Sequence, residues 1–164
     1  MDRLKLALDR LEALGISYAL AKHAPVCSIE ECALPESLLG AMMPRNLFLC
    51  PRTRAHFYLL TAHPASVFRT SSVSRQAGAS RLSFAGADDM EALLGTYPGA
   101  VSPLGLMFDA EKQVDFLLDE KLKDEKELLF HPLVNTASVR IALEALTDVF
   151  LPACGHSVKY VKLD

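Results

Sequence analysis

No apolar run in this chain approaches the roughly 20 residues that a membrane helix needs, so a transmembrane role is excluded at the outset. The opening residues Met1-Asp2-Arg3-Leu4-Lys5 begin an amphipathic helix and lack the apolar block of a secretory leader, so the chain is expected in the cytoplasm. Positive charge is short as well. Seventeen lysines and arginines against twenty acidic residues leave a formal net charge of −3, so no global basic field recruits nucleic acid. Any RNA contact has to come from a local patch. The four cysteines, Cys27, Cys32, Cys50 and Cys154, follow no metal-ligand spacing, and no paired histidines complete a zinc set. Reduced, mostly buried thiols and no metal are expected. There is no internal repeat and no low-complexity linker, and Ser102 has no Gly-x-Ser-x-Gly context that would make it a nucleophile.

What the chain does have is enough apolar material for one core: 164 residues, 51% of them hydrophobic and 23% charged, point to a single globular domain over 1–164. Leucines at 4, 8, 11 and 14 recur at helical spacing and Gly15 stops them, so a first helix spans about 2–14. A strand is expected over 16–22. Ser28 and Glu31 form a capping box for a short second helix, with Pro35 and Gly40 bounding its exit. Residues 46–50 and 56–60 read as a hairpin. A weak helix near 70–78 precedes a strand at 81–85. Asp88 with Glu91 repeats the capping pattern for a helix that Gly95 ends. A second hairpin is expected from 106–108 and 114–118. Residues 119–127 are a charge run that suits a solvated turn. Leu128–Phe130 leads into His131-Pro132, and strands at 138–142 and 158–163 flank a helix over 143–153. Hairpins mixed with helices give an α+β class with a mixed, largely antiparallel sheet that curls toward a barrel, with helices around it.

The stretch that organises the chain is Gly99-Ala100-Val101-Ser102-Pro103-Leu104-Gly105-Leu106. Two glycines and a proline in seven residues break helix and strand alike, yet the apolar neighbours anchor the loop in a core. Such a loop either makes a tight buried connection or brings backbone N–H groups close to a ligand. Its amides and the Ser102 hydroxyl suit a developing oxyanion. Two further polar groups interrupt apolar surroundings. Arg45-Asn46 places a cation and an amide at the mouth of the strand Leu47-Phe48-Leu49, which suits a phosphate or a carbonyl or is a solvent-facing strand start. His131-Pro132, followed by Asn135-Thr136, gives a histidine with a restricted backbone that orients a hydroxyl, relays a proton or caps the core. His23, His56, His63 and His156 have no such setting and are read as structural.

These residues resemble, in order and through nearly the whole chain, the free-standing YbaK/prolyl-tRNA synthetase-associated domain proteins, trans-editing deacylases of mischarged tRNA. The matching stretches are Lys22-His23-Ala24-Pro25-Val26, Asn46-Leu47-Phe48-Leu49 with Phe57-Tyr58-Leu59-Leu60, Arg81-Leu82-Ser83-Phe84-Ala85, Gly95, Pro98 through Leu106, and His131 through Thr136. The sequence is most similar to the branch called PrdX or ProXp, whose known members remove alanine from the tRNA for proline. One departure stands out: the family pattern has Lys-Asn before Leu-Phe-Leu, and here the position is Arg45. Arginine keeps the charge and grips a phosphate or carbonyl, but it does not release a proton.

The resemblance implies hydrolysis of the ester between a small amino acid and the 3′-terminal ribose of tRNA. Such an ester is already activated, so positioning, an oxyanion hole and an ordered water are needed more than a nucleophile. Arg45 and Asn46 are assigned to the terminal ribose and phosphate, the Gly99 to Gly105 amides with Ser102 to the carbonyl oxygen, and His131 to the amino acid or the vicinal hydroxyl. Leu47, Val101, Pro103, Asn135, Thr136, Lys22 and Arg81 complete the expected substrate-binding set. No cofactor or metal is implied. The expected partners are the acceptor end of a mischarged tRNA, above all tRNA for proline, and a prolyl-tRNA synthetase. The alternative is a non-catalytic module that keeps the fold and holds tRNA or the synthetase without hydrolysis.

Overall fold

The structure, a computed structural model, describes residues 1–26, 28 and 30–164. Helix α1, Arg3–Ala13, starts where the Asp2 carboxylate accepts the Lys5 N–H at 3.0 Å, and it buries Ala7 and Leu11. An aspartate there satisfies one of the amides that a helix start leaves open. The first strand, β1, is Ala19–Lys22, shorter than the alternation over 16–22 suggested. Ile16 instead drops into the core, its N–H bonded to the Leu11 carbonyl.

Ser28 does form the predicted box with Glu31, its Oγ accepting the Glu31 N–H at 3.2 Å. A single tight turn, Glu30–Cys32, then leads into α2, Ala33–Leu39. Pro35 does not bound this helix. It sits in the first turn, where its missing N–H costs nothing, and Gly40 in the left-handed conformation ends the helix. The predicted hairpin is β2, Arg45–Pro51, with β3, Phe57–Ala62. Then come α3, Thr70–Ala77, and β4, Leu82–Phe84. Helix α4, Ala87–Leu94, begins after Gly86, so Asp88 lies in its first turn and is not its cap.

The expected hairpin of 106–108 with 114–118 does not exist. Pro103–Phe108 is a 3₁₀ segment, capped by Ser102 Oγ accepting the Leu104 N–H at 3.3 Å. Strand β5, Val114–Asp119, pairs in parallel with β3 on one side and with β8, Val158–Val161, on the other. A strand flanked on both edges and covered on both faces reads as a near-continuous apolar run, which is why Val114-Asp115-Phe116-Leu117-Leu118 looked like half of a local hairpin. Strands β6, Glu127–Phe130, and β7, Ala137–Ala142, are antiparallel. The helix expected over 143–153 is α5, Leu143–Ala145, and α6, Leu151–Ala153, joined by a π turn at Leu146–Phe150. In the charge run, Asp119 and Leu122 are buried while the rest is largely solvated.

Two sheets result, ordered β1-β7-β6 and β4-β2-β3-β5-β8. The class is mixed and mostly antiparallel as expected, but the sheets stay separate and no barrel closes. The main core lies between them, with Phe48, Leu59, Phe116 and Leu118 from one sheet and Leu128, Phe130, Val139 and Ile141 from the other. The outer face of the larger sheet buries Leu49, Leu60 and Leu117 against Val73 of α3. Helix α2 covers the outer face of the smaller sheet, where Leu39 and Met43 meet Leu129. Cys27 lies outside the described residues. Cys32, Cys50 and Cys154 are free, and burial pushes each thiol up from its ordinary pKa.

Candidate functional site

The start of β2 opens into a cleft of about 390 Å³ that is also lined by β4, α4, the loop after α4 and the segment after β6. Its lining carries the polar or permissive Arg45, Asn46, Gly99 and His131 and is otherwise mostly apolar, with Val26, Met43, Leu47, Phe48, Met90 and Val101. Pockets of this size with a few polar groups on apolar walls suit small ligands. Six residues singled out from the sequence therefore meet here, although they come from β2, the loop after α4 and the segment after β6.

Among the described residues that line the cleft, Arg45 is the one lysine or arginine. Its Nε is buried and has no hydrogen-bond partner, and no carboxylate pairs with it among the described residues. A guanidinium in that position carries charge and a buried donor that no described protein group matches. Asn46 stands opposite Thr61 in the hairpin register, and Thr61 Oγ donates to Asn46 Oδ1 at 2.6 Å. This occupies the carbonyl end of the amide and leaves its NH₂ to donate elsewhere.

His131 is buried and its Nδ1 lies 3.2 Å from the Ala137 carbonyl. A carbonyl only accepts, so Nδ1 carries the proton and Nε2 keeps its lone pair. Burial holds the imidazole below its ordinary pKa, a stronger influence than that hydrogen bond, and the nearby His23 adds to the lowering. His131 is thus a neutral acceptor near pH 7.

The segment that follows β6 is tied to the loop after α4 at several points. Ser102 Oγ donates to the His131 carbonyl at 2.7 Å, and Thr96 Oγ lies 3.1 Å from the Ala100 carbonyl and 3.2 Å from that of Leu133. Tyr97 hydroxyl donates to Asn135 Oδ1 and accepts the Asn135 N–H, both at 3.0 Å. Buried Leu133 is held at φ +66°, a left-handed backbone that a leucine adopts only when its surroundings impose it.

This bracing corrects part of the sequence reading. Ser102 is fully buried and its proton is committed to the His131 carbonyl, so it does not face the cleft. Gly105 is buried against α4, and a Cβ there would lie 2.6 Å from the Leu94 carbonyl oxygen. It is a packing glycine. Gly99, at φ +95°, is exposed at the cleft, and among the described residues neither its N–H nor that of Val101 has an acceptor. Pro103 is buried in the 3₁₀ segment, while Asn135 and Thr136 brace backbone, the Thr136 carbonyl accepting the His23 N–H at 2.9 Å. Lys22 and Arg81 are exposed and off the cleft lining. Conversely, Thr61, Thr96 and Tyr97 escaped notice. Thr61 was recoverable from the hairpin register; the other two carry no local signal.

Of the other histidines, His156 Nε2 sits 2.9 Å from buried Asp109 and His56 lies 3.1 Å from Asp115, and neither lines the cleft. No group of three His, Cys, Asp or Glu among the described residues is arranged to hold a metal. No helix among them is long and apolar enough to cross a membrane.

Several known proteins resemble the chain along nearly its whole length. The chain is 29% identical over 163 residues to the prolyl-tRNA editing protein ProX of Acetoanaerobium sticklandii, covering 99% of both chains. It is 28% identical to prolyl-tRNA synthetase associated domain-containing protein 1 of Mus musculus, across 95% of this chain and 94% of that one. A solved structure described as a candidate trans-editing enzyme for prolyl tRNA synthetase superposes with a TM-score of 0.75 at 18% identity, over 99% of this chain and 98% of that one, and so shares the fold. Residues 23–149, which hold every cleft residue described above, match the aminoacyl-tRNA editing domain model, and the chain belongs to that family.

Proposed function

We propose that the protein is a trans-editing hydrolase that cleaves the ester between a small amino acid and the 3′-terminal ribose of a mischarged tRNA, with alanine on the tRNA for proline as the first substrate to test. The observation that carries this reading is the Arg45 guanidinium, without an acidic partner among the described residues, in the lining of a mostly apolar cleft. It suits the phosphate and ribose of an RNA terminus, with the Asn46 NH₂ beside it in the chain. The names of ProX and of the mouse relative support tRNA and a prolyl-tRNA synthetase as the partners.

In this mechanism water attacks the ester carbonyl carbon, the tetrahedral oxyanion forms against the Gly99 and Val101 amides, and the C–O bond to the ribose breaks. The ribose oxygen leaves with a proton derived from the water, giving free amino acid and uncharged tRNA. Donors fixed before the charge develops are worth more in a dry cleft than in bulk water. His131 Nε2, kept neutral, accepts a hydrogen bond from the vicinal ribose hydroxyl or the α-ammonium group and orients the ester. Val26, Met43, Leu47 and Val101 limit the size of the side chain admitted. Each methylene is worth only about 1–3 kcal/mol, so exclusion of larger residues by walls is the more effective sieve.

Arginine at the position where the family pattern has lysine supports a second reading, a module that binds the tRNA without hydrolysis. Purified protein incubated with tRNAs charged with alanine, serine, threonine and proline separates the two. Release of a small amino acid in preference to proline is expected; saturable binding with no release from any of them overturns the hydrolase reading.

A further inference from the structure

Phe84 is the most exposed aromatic side chain among the described residues, with 64% of its surface open. It lies on β4, the edge strand paired to β2 at Leu49. Its ring touches Phe68, centroids 5.8 Å apart and tilted by 49°, and the rest of it faces solvent. An open phenylalanine on a short edge strand is a liability unless something covers it.

Its position says what the cover is. Phe84 lines the cleft that holds Arg45 and His131, and it also lines a second cavity of about 480 Å³ beside it, bounded by Arg52, Arg54, Ser83, Asp88 and Asp89. Arg54 is ion-paired with Asp89, and Arg52 offsets Asp88, so the second cavity has no net charge. It offers donors and acceptors side by side. A phosphate needs an excess of cations, and an apolar peptide does not need a polar rim of this kind. A heterocyclic base matches both halves: its π face rests on an aromatic ring, and its edge takes a mixed set of hydrogen bonds.

We propose that Phe84 is the stacking platform for the base of the 3′-terminal nucleotide of the RNA substrate, with the polar cavity bounded by Arg52, Ser83 and Asp88 receiving the edge of that base. This deepens the proposed function and rests on its reading of RNA as the substrate. The ribose ester enters the first cleft while the attached base lies across the wall that the two cavities share. Because every base has a π face, the platform contributes affinity and registers the ester over the loop amides; it does not select the amino acid.

The test uses two readouts. In the first, a short single-stranded RNA ending in CCA, with 2-aminopurine as its terminal base, is titrated with the protein, and fluorescence and affinity are followed. Wild-type protein is expected to quench the probe saturably. Phe84→Ala and Phe84→Leu are expected to weaken binding by on the order of 10- to 100-fold, and Phe84→Trp to restore it. With an abasic terminal nucleotide in place of 2-aminopurine, wild type and Phe84→Ala should bind alike. In the second, deacylation of charged tRNA by Phe84→Ala should show KM rising more than kcat falls. Rescue by leucine as complete as by tryptophan, or an equal loss on the abasic RNA, overturns stacking. Turnover by wild type that Phe84→Ala leaves unaltered also overturns it, while the hydrolase reading stands. Phe84-dependent quenching without turnover on any tRNA upholds the platform and removes the hydrolase instead.

Discussion

Gly99 and Gly105 lie six residues apart, and the proposed mechanism gives them opposite duties that two alanine substitutions separate. A Cβ at Gly105 would stand 2.6 Å from the Leu94 carbonyl oxygen and 2.8 Å from the Leu94 Cβ. The obstacle is backbone at the last residue of α4, so it cannot swing aside, and α4 has to separate from the 3₁₀ segment. Overpacking of this kind costs about 1–3 kcal/mol, and each kcal/mol lowers Tm by roughly 2–4 °C in a chain of this length. Gly105→Ala should therefore lose roughly 2–12 °C in Tm while turnover per folded molecule stays within a few-fold. At Gly99 the added Cβ meets only Asn135 Nδ2, at 3.5 Å, an ordinary contact. Its cost is the left-handed backbone at φ +95°, about 1–2 kcal/mol for an L residue. If the strained backbone shifts the amides that the proposed mechanism aims at the oxyanion, turnover per folded molecule should fall on the order of 10²-fold. Stability alone does not distinguish the two variants, because the expected ranges overlap. Thermal denaturation must be combined with deacylation normalised to folded protein. If Gly105→Ala proves as inactive per folded molecule as Gly99→Ala, or if Gly99→Ala keeps full turnover, the division of the loop into a ligand end and a packing end is refuted.

Arg45→Ala should remove most deacylation, on the order of 10²-fold, and Arg45→Lys should retain it; wild-type turnover in Arg45→Ala would show that the unpaired guanidinium does not serve the substrate. Ser102→Ala takes away the donor to the His131 carbonyl, a buried bond whose loss costs about 1–3 kcal/mol. A fall in Tm larger than the fall in turnover per folded molecule is expected, and a dead but fully stable variant would make the hydroxyl a reacting group. Binding of tRNA, measured by filter retention or anisotropy, should weaken steeply with salt, since phosphate contacts release counterions; a flat response would point to a small-molecule substrate. Burial lowers the His131 pKa below its ordinary value near 6.5, so the unfolded chain takes up a proton that the folded one refuses. Stability should thus be full above about pH 6.5 and decline as the pH drops below it, and denaturant titrations of His131→Gln should lack that part of the decline.

Much of this protein was legible from neighbours along the chain. Leucine spacing and Gly15 define α1, the Ser28–Glu31 box precedes α2, and Gly95 ends α4, because caps and helical periods involve residues within a turn of one another. Arg45, Asn46, Gly99 and His131 stood out as polar or permissive residues inside apolar runs, and all four reach one cleft. Tertiary structure alone decided the rest. Val114–Asp119 is apolar whether it closes a local hairpin or lies between β3 and β8, and only long-range pairing chose the second. Nothing local distinguishes Gly99 from Gly105, since a glycine's duty depends on which atoms stand where its Cβ would be, and Leu94 occupies that place at one of them. The Ser102 hydroxyl could have turned to a ligand, but the His131 carbonyl, 29 residues away, holds it in the core. Local spacing carries propensity and capping. Burial, strand partners and the direction of a donor are set by residues distant in the chain, which meet only when the two sheets close over their shared core.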